Sequence, residues 1–403
     1  MLSTVALFAI LLLFAMLIEP LAERLKLPFS SFLVIVGFAG SELIVMMGFD
    51  TGLRWYEFVD IILHLLVPII IFESAFNANF KALISNLPAV LFLAVPAMLC
   101  AALLTGVLIF WGIGSAEHFP LLTALLAGVI LSATDPVAVV AIFKKLGAPD
   151  RLNALLEGES LFNDVTVIVV YSILVSVSLN PEVDLTMTDA TLIFTQSLVG
   201  GVLVGIVIAY VARYLYGWCS GHFRHTLLGI IAAIVSFYVA EHWLAVSGVV
   251  AVLSAGLVLG EFCRKKPQGD HLFAGEFWEL NAYIANAILF ILVGVTVTVS
   301  MFSSQWLAML VGIGAATVVR FAVVYGLFPV FCLLPRVEPS DKHYKQVLMW
   351  GGLRGAVSLA LALSIPVEIE GWYTVQSIVY AVVTFTLFVQ APFMDRLVMK
   401  TIK

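Results

Sequence analysis

Thirteen times along this chain, apolar residues run together for close to twenty positions or more between glycines, prolines and charged residues. A helix of about 20 residues spans roughly 30 Å, the thickness of a bilayer's hydrocarbon core. The runs lie at 2–19, 30–48, 60–76, 87–112, 120–144, 153–178, 190–219, 225–244, 246–262, 275–301, 305–334, 346–366 and 373–395. Lipid offers a backbone no hydrogen bonds, so such a chain is expected to fold as an all-α, polytopic membrane protein. Composition agrees, because 62% of the 403 residues are hydrophobic and 11% charged, with a mean hydropathy of +1.10. A soluble domain carries about 45–50% apolar and 25% charged residues. No soluble domain is expected, since the longest hydrophilic stretches are loops near 180–189 and 335–345.

Charge fixes the expected orientation. With the N-terminus outside, the inner side holds Arg24, Lys26, Lys81, Lys144, Lys145, Arg151, Arg213, Arg224, Arg264, Lys265, Lys266, Arg336, Lys342, Lys345, Arg396, Lys400 and Lys403, which is 17 of the chain's 20 Lys and Arg. Only Arg54 falls outside. This bias follows the positive-inside rule and predicts an N-out, C-in protein of a plasma membrane or a bacterial or archaeal inner membrane. Arg24 and Lys26 follow the first run and no cation precedes it, the polarity of an anchor and not of a cleaved signal. The net charge of −6 is too small and dispersed to suggest a nucleic-acid partner. Cysteines 100, 219, 263 and 332 show no CxxC spacing, and the seven histidines form no metal-binding constellation.

An odd number of spans suits two halves of six joined by one extra helix, with spans one to six repeated upside down as spans eight to thirteen. Span five then corresponds to span twelve, and both carry breaks: SATDP at 132–136 and GGLRGAVS at 351–358. Pro136 removes a backbone donor and pushes its predecessor out of helical geometry. An unwound membrane helix is tolerated only where its freed polar groups line a cavity or bind something. Carbonyls near Thr134 can coordinate a small cation, and Asp135 can offset the positive end of a half-helix.

The stretch EGESLFNDVTVIV, residues 157–169, brings carboxylates into lipid. On a helix Glu159, Asn163, Ser160 and Asp164 project at about 0°, 40°, 100° and 140°, one arc able to face a single cavity. Glu157 points elsewhere. An ionised carboxylate at the bilayer centre costs at least about 3 kcal/mol, so Asp164 must be partnered, protonated or bound to a cation. Arg320 lies within span eleven and keeps its proton, so it needs an anion. Glu159 is the expected partner, which leaves Asp164 as the unpaired group. Glu73, in PIIIFESAF, is a second candidate for Arg320 or Arg354, with a structural role expected.

LSATDPVAVVAIFKKLG, EGESLFNDVTVIVV, the single span-eleven arginine and GGLRGAVSLALALS together resemble the sodium/proton antiporters of the cation:proton antiporter superfamily, in its NhaP-type branch. The resemblance extends over the whole chain. It implies a homodimer in lipid, with a dimerisation bundle at 2–76 and 225–301, a linker helix at 190–219 and a moving core at 87–178 and 305–395. It also implies that Asp164 binds both the cation and the proton, beside Asn163 as its neutral neighbour. Glu159, Ser160, Thr134 and Asp135 would contribute to or support the site, with sodium at Asp164, Thr134, Ser160 and Glu159. Arg320 would compensate Glu159, and Arg354 and Glu73 would serve as further charge-compensating groups. Many relatives carry a long cytoplasmic C-terminal region, and the sequence here extends only about eight residues past its last span, so regulation through such a region is not implied.

The expected function is secondary antiport of a monovalent cation, sodium before lithium or potassium, for a proton, with no cofactor and no enzymatic chemistry. Burial disfavours the charged form of Asp164, so a proton competes there with sodium near neutral pH. If only a neutralised core can slide past the apolar dimerisation bundle, exchange is obligatory, and one carboxylate makes it electroneutral. The rival classes are a cation channel and a non-transporting cation sensor. An intramembrane protease would need a GxGD with a second catalytic aspartate or a Ser/His dyad, and the sequence has neither.

Overall fold

A computed structural model of the chain describes residues 12–21, 24, 29–47, 59–114, 118–135, 140, 150–180, 186–219, 221–265, 268–331 and 342–393. Among these residues all regular structure is helical, and β-pairing is confined to one isolated bridge between Asp135 and Leu353. The helices in chain order are α1 (Leu12–Leu21), α2 (Phe29–Met46), α3 (Val59–Asn77), α4 (Phe80–Ser85), α5 (Leu87–Ile113) and α6 (Leu121–Ile130). They continue with α7 (Asp150–Leu179), α8 (Met187–Tyr216), α9 (His222–Trp243), α10 (Gly248–Arg264) and α11 (Gln268–Thr296). The last four are α12 (Val299–Phe331), α13 (Lys342–Trp350), α14 (Ala356–Leu363) and α15 (Trp372–Phe393). Eight of them, α3, α5, α7, α8, α9, α11, α12 and α15, include stretches long and apolar enough to cross a bilayer.

The fifth and twelfth apolar runs are not continuous helices. α6 ends at Ile130, and residues 131–135 continue without helical pattern; Pro136 lies outside the described residues. The twelfth run is split into α13 and α14 by residues 351–355, where two glycines and then Gly355 interrupt the pattern. Pro96 makes a third, milder irregularity inside α5, because its missing N–H widens the turn at Leu93–Ala97 into a π-helical one.

Packing sorts the helices into two sets. In one, α2 lies along α11, and α10 packs against α3, α8 and α9. Phe72 of α3 meets Trp278 of α11 there with ring centroids 4.2 Å apart. In the other set, α5 packs on α6 and α12, α7 against α6, and α12 against α15. Membrane helices gain little from hydrophobic exclusion and hold together by close fit. The crossing of α2 and α11 shows how close: a Cβ on Gly37 would come 2.6 Å from the Ile291 carbonyl oxygen, and Gly294 faces Gly37 across the same crossing. Away from the packed interior, α8 turns Leu203, Val207 and Tyr214 outward at 58%, 58% and 66% exposure. Such a surface is stable against lipid and costly against water.

Candidate ion site where two helix breaks cross

The two interrupted segments meet. The Asp135 N–H donates to the Leu353 carbonyl at 2.8 Å, and the Ser358 hydroxyl donates to the Ile130 carbonyl at 3.0 Å. Each break thereby satisfies part of the other's exposed backbone, which lipid could not do. Gly355 makes the crossing possible, because a Cβ there would overlap the Asp135 carboxylate.

α7 runs beside this crossing and ties it down through two side chains. The Ser160 hydroxyl donates to the Thr134 carbonyl. Asn163 Nδ2 donates to the Ser132 carbonyl at 2.7 Å and to Thr134 Oγ1 at 3.0 Å. All four of these residues are buried. One of the carbonyls freed at the first break is thus engaged by Ser160, with its second lone pair remaining for a ligand.

The four polar residues of α7 do not share a single cavity. Glu159 and Asn163 line a small, partly open cavity together with Ser132, Arg320 and Arg354, walled on its apolar side by α5 and α12. Ser160 and Asp164 are not part of that lining. An arc of about 140° is wider than the opening, and the 131–135 segment stands against its Ser160 edge.

Arg320 extends from α12 to place Nη1 2.9 Å from Glu159 Oε1, while its Nε and Nη2 donate to the Leu348 carbonyl at 3.2 and 2.7 Å. Gly352 leaves room for this guanidinium, since a Cβ there would lie 2.7 Å from Nε. Arg354, 6% exposed, donates from Nη1 to the Gly352 carbonyl at 2.8 Å, and its N–H donates to Thr386 Oγ1 at 3.3 Å. Glu73 sits in the other packed set, on α3, where it accepts from Asn77 Nδ2 at 2.9 Å and from Ser74 Oγ at 3.3 Å.

Asp164 is different in kind. Among the described residues its carboxylate has no hydrogen-bond or ion-pair partner, it is only partly buried by its neighbours, and its electrostatic neighbour is another carboxylate, Asp135. Two carboxylates in a site of low dielectric attract a cation or a proton and repel each other without one. A second, half-open cavity lies between the two helix sets, reaching Ile168 and Tyr171 on the face of α7 that carries Asp164. His64 and Glu241 line it as well.

Ser132, Leu353 and Gly355, which lie within the two quoted breaks without a role of their own being expected, and Thr386, which lies outside any motif, also contribute to this arrangement. Their parts are backbone carbonyls, a cap on a broken end and an absent side chain. The repeated glycines of GGLRG are the one signal that could have pointed to close approach there.

The sodium/hydrogen exchanger transmembrane family model matches residues 9–400. The chain is 35% identical over 347 residues to the Na(+)/H(+) antiporter ApNhaP of Aphanothece halophytica, covering 85% of this chain and 64% of that protein. It is likewise 35% identical over 373 residues to the low-affinity Na(+)/H(+) antiporter NhaS1 of Synechocystis sp., covering 91% of this chain and 68% of that protein. The chain therefore spans about two thirds of the length of these relatives. Its fold is similar to that of the sodium proton antiporter MjNhaP1 from Methanocaldococcus jannaschii, with a TM-score of 0.83 over 99% of this chain and 98% of that one, at 20% identity.

Proposed function

The chain belongs to the sodium/hydrogen exchanger family, and from that premise we propose that it exchanges sodium for protons across a membrane, with both ions competing for Asp164. The observation that carries this reading is a carboxylate at membrane depth that lacks a cationic partner among the described residues and faces a second carboxylate, Asp135. Left ionised and empty, such a group costs about 3 kcal/mol or more at the centre of a bilayer. A sodium ion or a proton removes that cost, and each excludes the other.

Around Asp164 the residues divide the work. Thr134 and Ser160 offer oxygen atoms of the kind sodium takes, and Asn163 holds the broken segment in register through Ser132 and Thr134. Asp135 adds negative charge from the crossing. Arg320 neutralises Glu159, so that of the two carboxylates on the polar arc of α7, Glu159 and Asp164, only Asp164 is left for the ions. Arg354 compensates charge at the same crossing, and Glu73 acts structurally on α3.

The transport cycle is alternating access. The helices of 87–178 and 305–395 move as a core against a dimerisation bundle of 2–76 and 225–301, with 190–219 as linker, in a lipid-embedded homodimer. Thirteen spans in two inverted halves, N-terminus out and C-terminus in, fit this cycle, because the two breaks that cross at the site fall in runs five and twelve, which such a repeat would relate. The cavity between the two sets reaches Ile168 and Tyr171, on the face of α7 that carries Asp164, and so supports a water route on that side in this cycle.

Purified protein in liposomes tests the reading. An imposed sodium gradient should drive proton movement of opposite direction in a pH-sensitive dye assay. Proton movement that does not depend on sodium, lithium or potassium would overturn it.

A further inference from the structure

The cavity beside the Glu159–Arg320 pair holds three buried polar atoms that have no hydrogen-bond partner among the described residues: Glu159 Oε2, Asn163 Oδ1 and Arg354 Nε. All three residues line that one cavity. Glu159 and Asn163 stand one turn apart on the same face of α7. Arg354 is brought to them by the second break, its guanidinium and that of Arg320 both lying against Gly352. Buried polar atoms in folded proteins are almost always paired, so three orphans around one space call for a shared ligand.

The donor and acceptor count selects that ligand. Two of the atoms are acceptors and one is an N–H donor. An anion would be repelled by Glu159 Oε2 and Asn163 Oδ1. A bare metal cation would suit those two oxygens and face the Arg354 guanidinium without a bond to it. A water molecule answers all three, donating its two hydrogens to Glu159 and Asn163 and accepting from Arg354, and a buried water typically makes about three such bonds. The geometry points to a water-binding site in the core, separate from the cation site at Asp164, in which Arg354 acts through the water as a positioning residue for Asn163. With Oδ1 engaged by the water, the amide turns Nδ2 toward Ser132 and Thr134, the contacts that pin the first break. Arg354 thereby tunes the shape of the sodium site without touching sodium. This part of the inference rests on the antiport reading; the water site itself does not.

Two measurements test it. An electron cryomicroscopy structure of the full chain, sodium-free and at a resolution that shows ordered solvent, should place a density peak about 2.7–3.2 Å from all three atoms. A dry site, an Asn163 amide turned the other way, or a peak that appears only with added sodium would overturn the water. In liposomes, Arg354→Met should raise the sodium concentration for half-maximal exchange about tenfold, the usual scale for removing an outer partner of a metal ligand. Its maximal rate should stay within about a factor of two, and Arg354→Lys, which keeps a charged donor, should recover most of the affinity. Equal loss in the two variants, or a fall in rate with unchanged sodium dependence, would overturn the positioning role. An inactive wild-type protein would instead count against the antiport reading, and the density would still decide the water.

Discussion

Arg320 and Glu159, 161 positions apart in the chain, meet with Nη1 2.9 Å from Oε1, and their side chains are 17% and 5% exposed. Neither charge could be left at this depth alone, because an uncompensated buried ion costs roughly 3–5 kcal/mol. Glu159→Gln and Arg320→Gln should therefore each lower thermal stability in detergent, whereas the double variant recovers part of the loss. The double-mutant cycle measures the coupling directly. Strictly additive losses would show that the contact contributes nothing.

Gly355 tests the crossing by shape alone. Its hydrogen lies where a methyl group would overlap the Asp135 carboxylate, so Gly355→Ala should push Asp135 and Leu353 apart at a cost of about 1–3 kcal/mol. Sodium-dependent exchange should fall with it. Gly314, exposed on α12 with nothing within 4 Å of its absent Cβ, is the control: Gly314→Ala should stabilise by about 0.5–1 kcal/mol, through helix propensity, and leave exchange intact. A fully active and stable Gly355→Ala variant would show that the two breaks do not need this contact.

What could be read from the sequence was whatever an isolated residue demands of its surroundings. An arginine in a membrane helix demands an anion, and Arg320 ends on Glu159. Runs of apolar residues demand lipid, and the exposed faces of helices such as α8 are apolar. The glycines and proline of spans five and twelve marked helices that stop, though not that the two ends would share a backbone hydrogen bond from Asp135 to Leu353. That contact depends on how segments more than 200 positions apart approach, and helical angles within one segment carry no such information. The same limit explains the divided arc of α7. Angles of about 0° to 140° put Glu159, Asn163, Ser160 and Asp164 on one side, but the 131–135 segment occupies part of that side and separates the Glu159–Asn163 cavity from Asp164.

Asp164→Asn should abolish exchange while leaving a folded, detergent-stable protein. An amide keeps the size and some hydrogen bonding of the carboxylate, but it neither takes up a proton nor offers sodium a full charge. Removing a charge that has no cationic partner among the described residues should not destabilise the fold, in contrast to the Glu159 and Arg320 variants. Exchange above about a tenth of the wild-type rate, a difference of only about 1.4 kcal/mol in barrier height, would exclude Asp164 as the shared site.

Exchange should also be electroneutral, one sodium for one proton. Asn163 is neutral and Glu159 is held by Arg320, so of the polar arc Glu159, Ser160, Asn163 and Asp164 only Asp164 is left to exchange ions. A single carboxylate carrying one sodium or one proton is neutral in both cases, and the moving core then carries the same charge in each direction. A membrane potential, which does about 2.3 kcal/mol of work per elementary charge per 100 mV, would do none on such a cycle. The check is to hold a fixed pH gradient across proteoliposomes, clamp the potential at either sign with potassium and valinomycin, and find the sodium gradient at which flux reverses. That reversal point should not move with voltage. A shift would mean that a second charge crosses with the core, and would direct attention to Asp135 or Glu159 as a group that also changes its protonation during transport.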